Sequence, residues 1–124
     1  MSTVPPPIAP TRLEVPNLLA LAQRPETIAW EPFHPGVLIH RLYGDGVTGP
    51  SAALIWFKNG GVVPLHRHAG YEHILVLAGS QRDEGGLAKT GTLLIHTPGS
   101  QHRIVSEEGC IVLAIYERPV EFLE

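Results

Sequence analysis

A single cysteine, Cys110, leaves no partner for an internal disulfide and suits a reducing compartment. Long apolar runs are missing too. Ile111-Val112-Leu113-Ala114-Ile115 is among the longest and is far too short to span a bilayer. Basic residues are outnumbered by acidic ones, 9 to 12, so the formal charge is −3. With a pI near 6.1, the chain lacks the basic field that nucleic acid would require. There is no internal repeat, no coiled-coil heptad and no glycine-rich phosphate loop. Met1 to Pro7 has neither the basic start nor the apolar stretch of a secretory signal. The expectation is a cytoplasmic protein with no membrane and no nucleic-acid partner. Its 124 residues suffice for one domain and one core.

What the chain does have is proline at its start and turn residues throughout. Pro5, Pro6, Pro7 and Pro10 fix their backbones and lack amide donors, which predicts an extended arm. Leu13 to Gln23 is more apolar, and after Pro16 it has the composition for one or two helical turns. The expected division is an N-terminal arm over 1–27 and a β domain over 28–124. From Ile28 onward, short strands alternate with Gly, Pro, Asn and Asp, the pattern of an all-β sandwich or barrel. The predicted strands are 28–31, 36–43, 51–57, 61–66, 71–79, 81–83, 86–88, 92–96, 102–106 and 110–116. Gly44-Asp45-Gly46, Asn59-Gly60-Gly61 and Glu84-Gly85-Gly86 supply turn chemistry. Residues 74–78 and 111–115 are apolar at every position, which predicts cover on both faces of those strands.

The chemistry concentrates between Gly60 and Gly79. His66 and His68 are two apart, so on an extended strand both imidazoles leave one face while Arg67 points the other way. Their Cα atoms are then about 6.5 Å apart, close enough for both rings to lean toward one metal ion at about 2.1 Å. Glu72 on a continuing strand would lie about 13 Å beyond His68. The chain must therefore turn between them, and Ala69-Gly70 is the place, Gly70 tolerating backbone angles that other residues resist. From Glu72 the run Glu-His-Ile-Leu-Val-Leu-Ala reads as a returning strand that ends at Gly79.

The spacing Gly60-(five residues)-His66-x-His68-(three residues)-Glu72-(six residues)-Gly79 resembles the first signature motif of the cupins. Gly91-Thr92-Leu93-Leu94-Ile95-His96-Thr97-Pro98-Gly99-Ser100-Gln101-His102 is similar to the second, with His102 in the ligand position. Pro98 and Gly99 are adjacent where one residue usually separates them, and Ser106 stands where asparagine is usual. Trp30, Phe33-x-Pro35-Gly36 and the Pro-Gly-Ser-x-His form resemble the small cupins grouped with the metal-binding domain of ChrR-type anti-sigma factors. The likeness covers residues 28 to 117. It implies a double-stranded β-helix, the cupin jelly-roll barrel, behind an extended N-terminal arm, and it implies a homodimer.

The implied metal set is His66, His68, Glu72 and His102. On their strands His66 and His68 share a face, as do Glu72, Ile74 and Val76, and as do His102 and Ile104. The barrel interior would then hold ligands at one end and aliphatic side chains below, a cavity with a metal at its mouth. Three neutral imidazoles and one carboxylate leave a divalent ion with a net charge of about +1, and leave one or two positions free for water, oxygen or substrate. Iron and zinc lead the candidates; manganese, nickel and copper accept the same donors.

The other histidines weigh less. His73 points to the opposite face from Glu72, as a packed or dimer-facing residue. His96 can line the cavity as a proton carrier, beside the plainer reading of a structural histidine, and no other catalytic residue is assigned. His34 and His40 read as surface residues. Cys110 heads an apolar strand and reads as a buried, inert thiol. Trp56, Phe57, Tyr43 and Tyr116 are read as packing residues. Arg67 and Arg103 follow ligands directly and point away from them, so a small, mostly uncharged organic ligand is expected. The favoured function is an oxygenase acting on a β-diketone, aromatic ketone or similar enolisable compound. Two alternatives use the same site: a metal-dependent isomerase or lyase, and a non-catalytic sensor like the cupin domain of ChrR-type proteins. The zinc-binding domain that precedes the cupin in those proteins has no counterpart in this sequence, so a sensor role would need a separate partner protein.

Overall fold

The computed structural model describes residues 11–124. The arm expected at Pro5, Pro6, Pro7 and Pro10 lies outside the described residues. The rest is almost wholly β. Helix α1 (Leu18–Ala22) and a 3-10 turn (Pro25–Thr27) lead into ten strands. These are β1 (Glu31–His34), β2 (Val37–Tyr43), β3 (Ser51–Phe57), β4 (Gly61–Arg67), β5 (Glu72–Asp83), β6 (Gly86–Lys89), β7 (Leu93–His96), β8 (Gln101–Ser106), β9 (Cys110–Tyr116) and β10 (Glu121–Phe122). Every pairing is antiparallel. No helix among the described residues is long and apolar enough to cross a membrane.

Two sheets share one strand. β1, β2, β3, β9, the first half of β5 and β7 make one; β10, β4, β8, the end of β5 and β6 make the other. β5 is continuous for twelve residues where two strands, 71–79 and 81–83, were expected. Gly79 is where it changes sheets rather than where it stops. Its φ is +74°, and a Cβ there would meet Gly109 O at 2.1 Å, so only glycine allows both the bend and the close approach. The expected strand 28–31 lies instead at 31–34, because Pro25–Thr27 forms the 3-10 turn and Trp30 Nε1 donates to Pro25 O, holding Ile28 to Trp30 out of the sheet. β10, only two residues long, was not anticipated.

The turn at Ala69-Gly70 also has a different cause from the one expected. Gly70 is not in the left-handed region. A Cβ there would lie 2.7 Å from Glu117 Oε1 and 3.1 Å from Glu117 Cβ, so glycine leaves room for the Glu117 side chain where it stands. β4 and β5 do not pair with each other; the chain crosses between the two sheets here, which is how strands from both reach one site.

Two apolar clusters follow from the two faces. Inside the barrel, Val37, Ile55, Phe57, Val63, Ile74, Val76, Ile104 and Val112 pack together. Outside the first sheet, Leu54, Leu77 and Ile111 pack under α1, with Trp30 and Trp56 beside them. That is why β5 and β9 are apolar at successive positions. Further along the same outer face, Leu93, Ile95 and Ile115 are exposed. Ser106, the residue at the usual asparagine position, is fully buried and donates its hydroxyl to Ser80 O at 2.6 Å, joining β8 to β5.

Candidate metal centre

His66, His68, Glu72 and His102 meet. One donor atom from each lies within 4.8 Å of the others, and all four residues are buried. β4 carries His66, whose register partner on β8 is His102. His68 lies just past β4, and its backbone is held from both sides: His68 N donates to Ser100 O at 2.9 Å and Gly99 N donates to His68 O at 2.7 Å. The Pro98-Gly99-Ser100 turn is thus what fixes His68, and Gly99, with φ +90°, suits that turn. Glu72 opens β5 and reaches across from the other sheet, with Oε1 3.2 Å from His68 Nε2 and 3.9 Å from His102 Nε2.

The hydrogen bonds decide which imidazole nitrogen is free. His66 Nδ1 lies 2.8 Å from Pro64 O, and a carbonyl can only accept, so Nδ1 carries the proton. His68 Nδ1 lies 3.1 Å from Ser100 O and 2.9 Å from Ser100 Oγ, whose own proton goes to Thr97 O at 2.6 Å. His102 Nδ1 donates to Asp83 Oδ2 at 2.9 Å. Each Nε2 is therefore left as a lone pair facing the same point, the outer-shell arrangement by which proteins orient metal-binding imidazoles. The Nε2 atoms of His68 and His102 and Oε1 of Glu72 are buried with no hydrogen-bond partner. Unpaired buried polar atoms are costly, and a divalent cation would satisfy all of them at once. The donor set is three nitrogens and one oxygen, so it fits the ions that the sequence suggested.

The electrostatics agree. Burial lowers the His66 pKa to about 4, keeping the ring neutral at physiological pH. Burial alone would raise the Glu72 carboxyl, but the close His68 ring and the neighbouring His102 and His66 imidazoles outweigh it and hold the pKa below its ordinary value. Asp83 behaves alike: burial opposes ionisation, and its bonds to His102 and Gly85 N prevail.

Three residues at this centre had not been singled out by sequence in these roles. Asp83 orients His102. Gln81 is buried, and neither of its amide atoms has a partner. His96, register partner of Glu72, stacks on His68 with ring centroids 4.9 Å apart and has its Nε2 buried and unpartnered. Burial first, then the neighbouring His102, lowers its pKa. A satisfied structural histidine would have spent that nitrogen on a hydrogen bond. Parity gave the only available signal for Asp83 and Gln81, and the bend at Gly79 obscured it.

The space around the centre differs from the expected cavity. Below the donors the barrel is filled by Phe33, Phe57, Ile74, Val112 and Tyr116, leaving only about 20 Å³. The open volume is instead a cleft of about 340 Å³ beside β5, β6 and β7, lined by Gln81, Asp83, Glu84, His96, Gln101 and His102 among others.

The remaining residues fall as follows. His73 is on the outer face opposite Ile95 and Ile115. His34 and His40 are half-buried rather than on the surface, His34 against Phe33 and Phe122, and His40 bonded to Ala29 O. Arg67 and Arg103 are exposed, away from the centre. Cys110 is buried, and burial pushes its thiol up to about 11, so it is inert.

The description ChrR Cupin-like domain belongs to the family model that matches residues 20–120. The anti-sigma-E factor ChrR of Cereibacter sphaeroides is 34% identical over 116 residues, covering 92% of this chain and 54% of that protein. The chain thus spans about half the length of that relative. Among solved structures, Rhodobacter sphaeroides SigE in complex with the anti-sigma ChrR is similar at a TM-score of 0.66 and 28% identity, over 88% of this chain and 70% of that chain. The acetylacetone dioxygenase of Acinetobacter johnsonii matches at a TM-score of 0.73 and 15% identity, over 100% of this chain and 85% of that one, a likeness of fold.

Proposed function

This chain belongs to the ChrR cupin-like family, and from that premise we propose that it holds one divalent metal ion on His66, His68, Glu72 and His102 and acts as a small oxygenase. The substrate class is a β-diketone, aromatic ketone or similar enolisable compound. The observation that carries this reading is the set of buried, unpartnered donor atoms aimed at one point beside an open cleft. When bound, iron(II) would supply Lewis acidity toward an enolate and electrons toward dioxygen.

The chain's own residues do the rest. His66, His68 and His102 present lone pairs because Pro64, Ser100 and Asp83 take their Nδ1 protons. Glu72 offsets one unit of the ion's charge. The cleft of about 340 Å³ lies at the small end of ligand sites, which run from roughly 300 to 1,000 Å³. Asp83 and Glu84 in its wall repel anions, so the ligand is small and mostly uncharged. The filled barrel below keeps water from the far side of the centre. In this reading the chain is a homodimer, supported by the exposed Leu93, Ile95 and Ile115 on one sheet face.

Anaerobically prepared, iron-loaded protein should take up oxygen when mixed with pentane-2,4-dione or a related member of a ketone panel. Absence of uptake with every member would contradict the oxygenase. A second reading has its own support: the likeness to an anti-sigma factor is closer in sequence than the likeness to the dioxygenase. A zinc-holding sensor module should co-purify with a sigma factor or other regulator and turn nothing over. Turnover without oxygen would instead favour an isomerase or lyase.

A further inference from the structure

Four imidazoles converge on the centre, one more than the donor set requires. His96 Nε2 lies 3.9 Å from Glu72 Oε1, and its ring centroid is 4.3 Å from that of His102. Its donor atom forms, with one from Asp83 and one from His102, a second group within 4.8 Å of one another that adjoins the His66, His68, Glu72 and His102 set through His102 and does not belong to it. Two donors held at about 2.1 Å on opposite sides of one ion are about 4.2 Å apart, so the His96–Glu72 separation is one that two ligands of a single ion can have. The nitrogen is buried and makes no hydrogen bond, although a hydrogen bond is the usual fate of a buried ring nitrogen. His96 also differs in position from three of the four donors. It lines the cleft together with His102, whereas His66, His68 and Glu72 take no part in that wall. A ligand entering from the cleft therefore approaches the centre along the wall that His96 and His102 form.

We propose that His96 is a fifth, displaceable donor: its Nε2 fills one position on the ion held by His66, His68, Glu72 and His102 until a ligand from the cleft takes that position. The inference rests on the four-donor metal centre, and adds to it that the resting site is more closed than a three-histidine, one-carboxylate set. It makes His96 the residue that decides what reaches the ion.

The test is spectroscopic and needs no turnover. Metal-free protein, His96→Ala, His96→Gln and the outer-face control His73→Ala are each titrated with Co(II), and the visible spectrum and affinity are recorded while circular dichroism confirms the fold. The expected result is one Co(II) per chain in all four, with altered visible bands and about a tenfold weaker affinity in both His96 variants only. Added imidazole should return the His96→Ala spectrum to that of the parent, and azide should bind that variant at about a tenfold lower concentration than the parent. Superimposable spectra and equal affinities for parent and both His96 variants would overturn the fifth donor while leaving the four-donor centre standing. A parent that binds no Co(II) would overturn both.

Discussion

The inward-facing side chains of the barrel change character within a single strand. Glu72, at the start of β5, is buried with one carboxylate oxygen unpartnered. Ile74 and Val76, its next neighbours on the same face, are buried among Ile55, Phe57 and Val112 in a core with almost no free space. The same strands and the same alternation build both ends. One end gains stability from close packing; the other forgoes it by keeping donor atoms desolvated without hydrogen bonds. Binding and folding are thus served by two separable regions, and substitutions in each should report on different quantities.

The largest expected effects are at the donor end. Replacing His66, His68, Glu72 or His102 by Ala should each lower metal affinity by at least about a hundredfold, measured by titration with Zn(II), with His73→Ala unchanged. A variant of His68 that retained full affinity would break the division. The packed end should answer in the other quantity. Phe57→Ala removes a side chain that is 1% exposed and should destabilise the fold by about 3–5 kcal/mol in urea unfolding, while the folded fraction still binds one ion. Asp83→Asn sits between the two. Its weakened grip on His102 Nδ1 should cost about 10–100-fold in metal affinity, with little change in unfolding midpoint.

The smallest effect is a pH dependence of the metal-free protein. His66 takes up a proton near pH 6.5 when unfolded but only near 4 when folded, because burial disfavours its charge. The unfolded state therefore binds more protons between those values. Stability should hold above pH 6.5 and decline as the pH falls toward 4, and His66→Gln should flatten that slope. An equally steep decline in the variant would assign it elsewhere.

The donor set was legible because its signals are local. His66-x-His68 fixes a shared face, and Gly60, Gly79 and the Pro98-Gly99 turn bracket strands at recognisable spacing. What stayed hidden depends on a change of direction. Gly79 looks like a stop, so 81–83 seemed a separate strand and nothing tied Asp83 or Gln81 to Glu72; in fact the strand bends there into the second sheet. The filled interior was equally illegible, since alternation tells which residues face inward but not how well Phe33 and Tyr116 close the space. Gly70 was placed correctly as a turn and explained by the wrong property, because its contact with Glu117 is 47 residues away in sequence. His96 lay within a recognised motif, yet only the absence of a partner for its Nε2 distinguishes it.

The convergence of four side chains on one ion is tested most directly by X-ray absorption at the zinc edge of the Zn(II)-loaded protein. The account predicts a first shell of nitrogen and oxygen at about 2.0–2.2 Å with the outer scattering of at least three imidazoles. A sulfur at about 2.3 Å, or a shell with at most one imidazole, would contradict it.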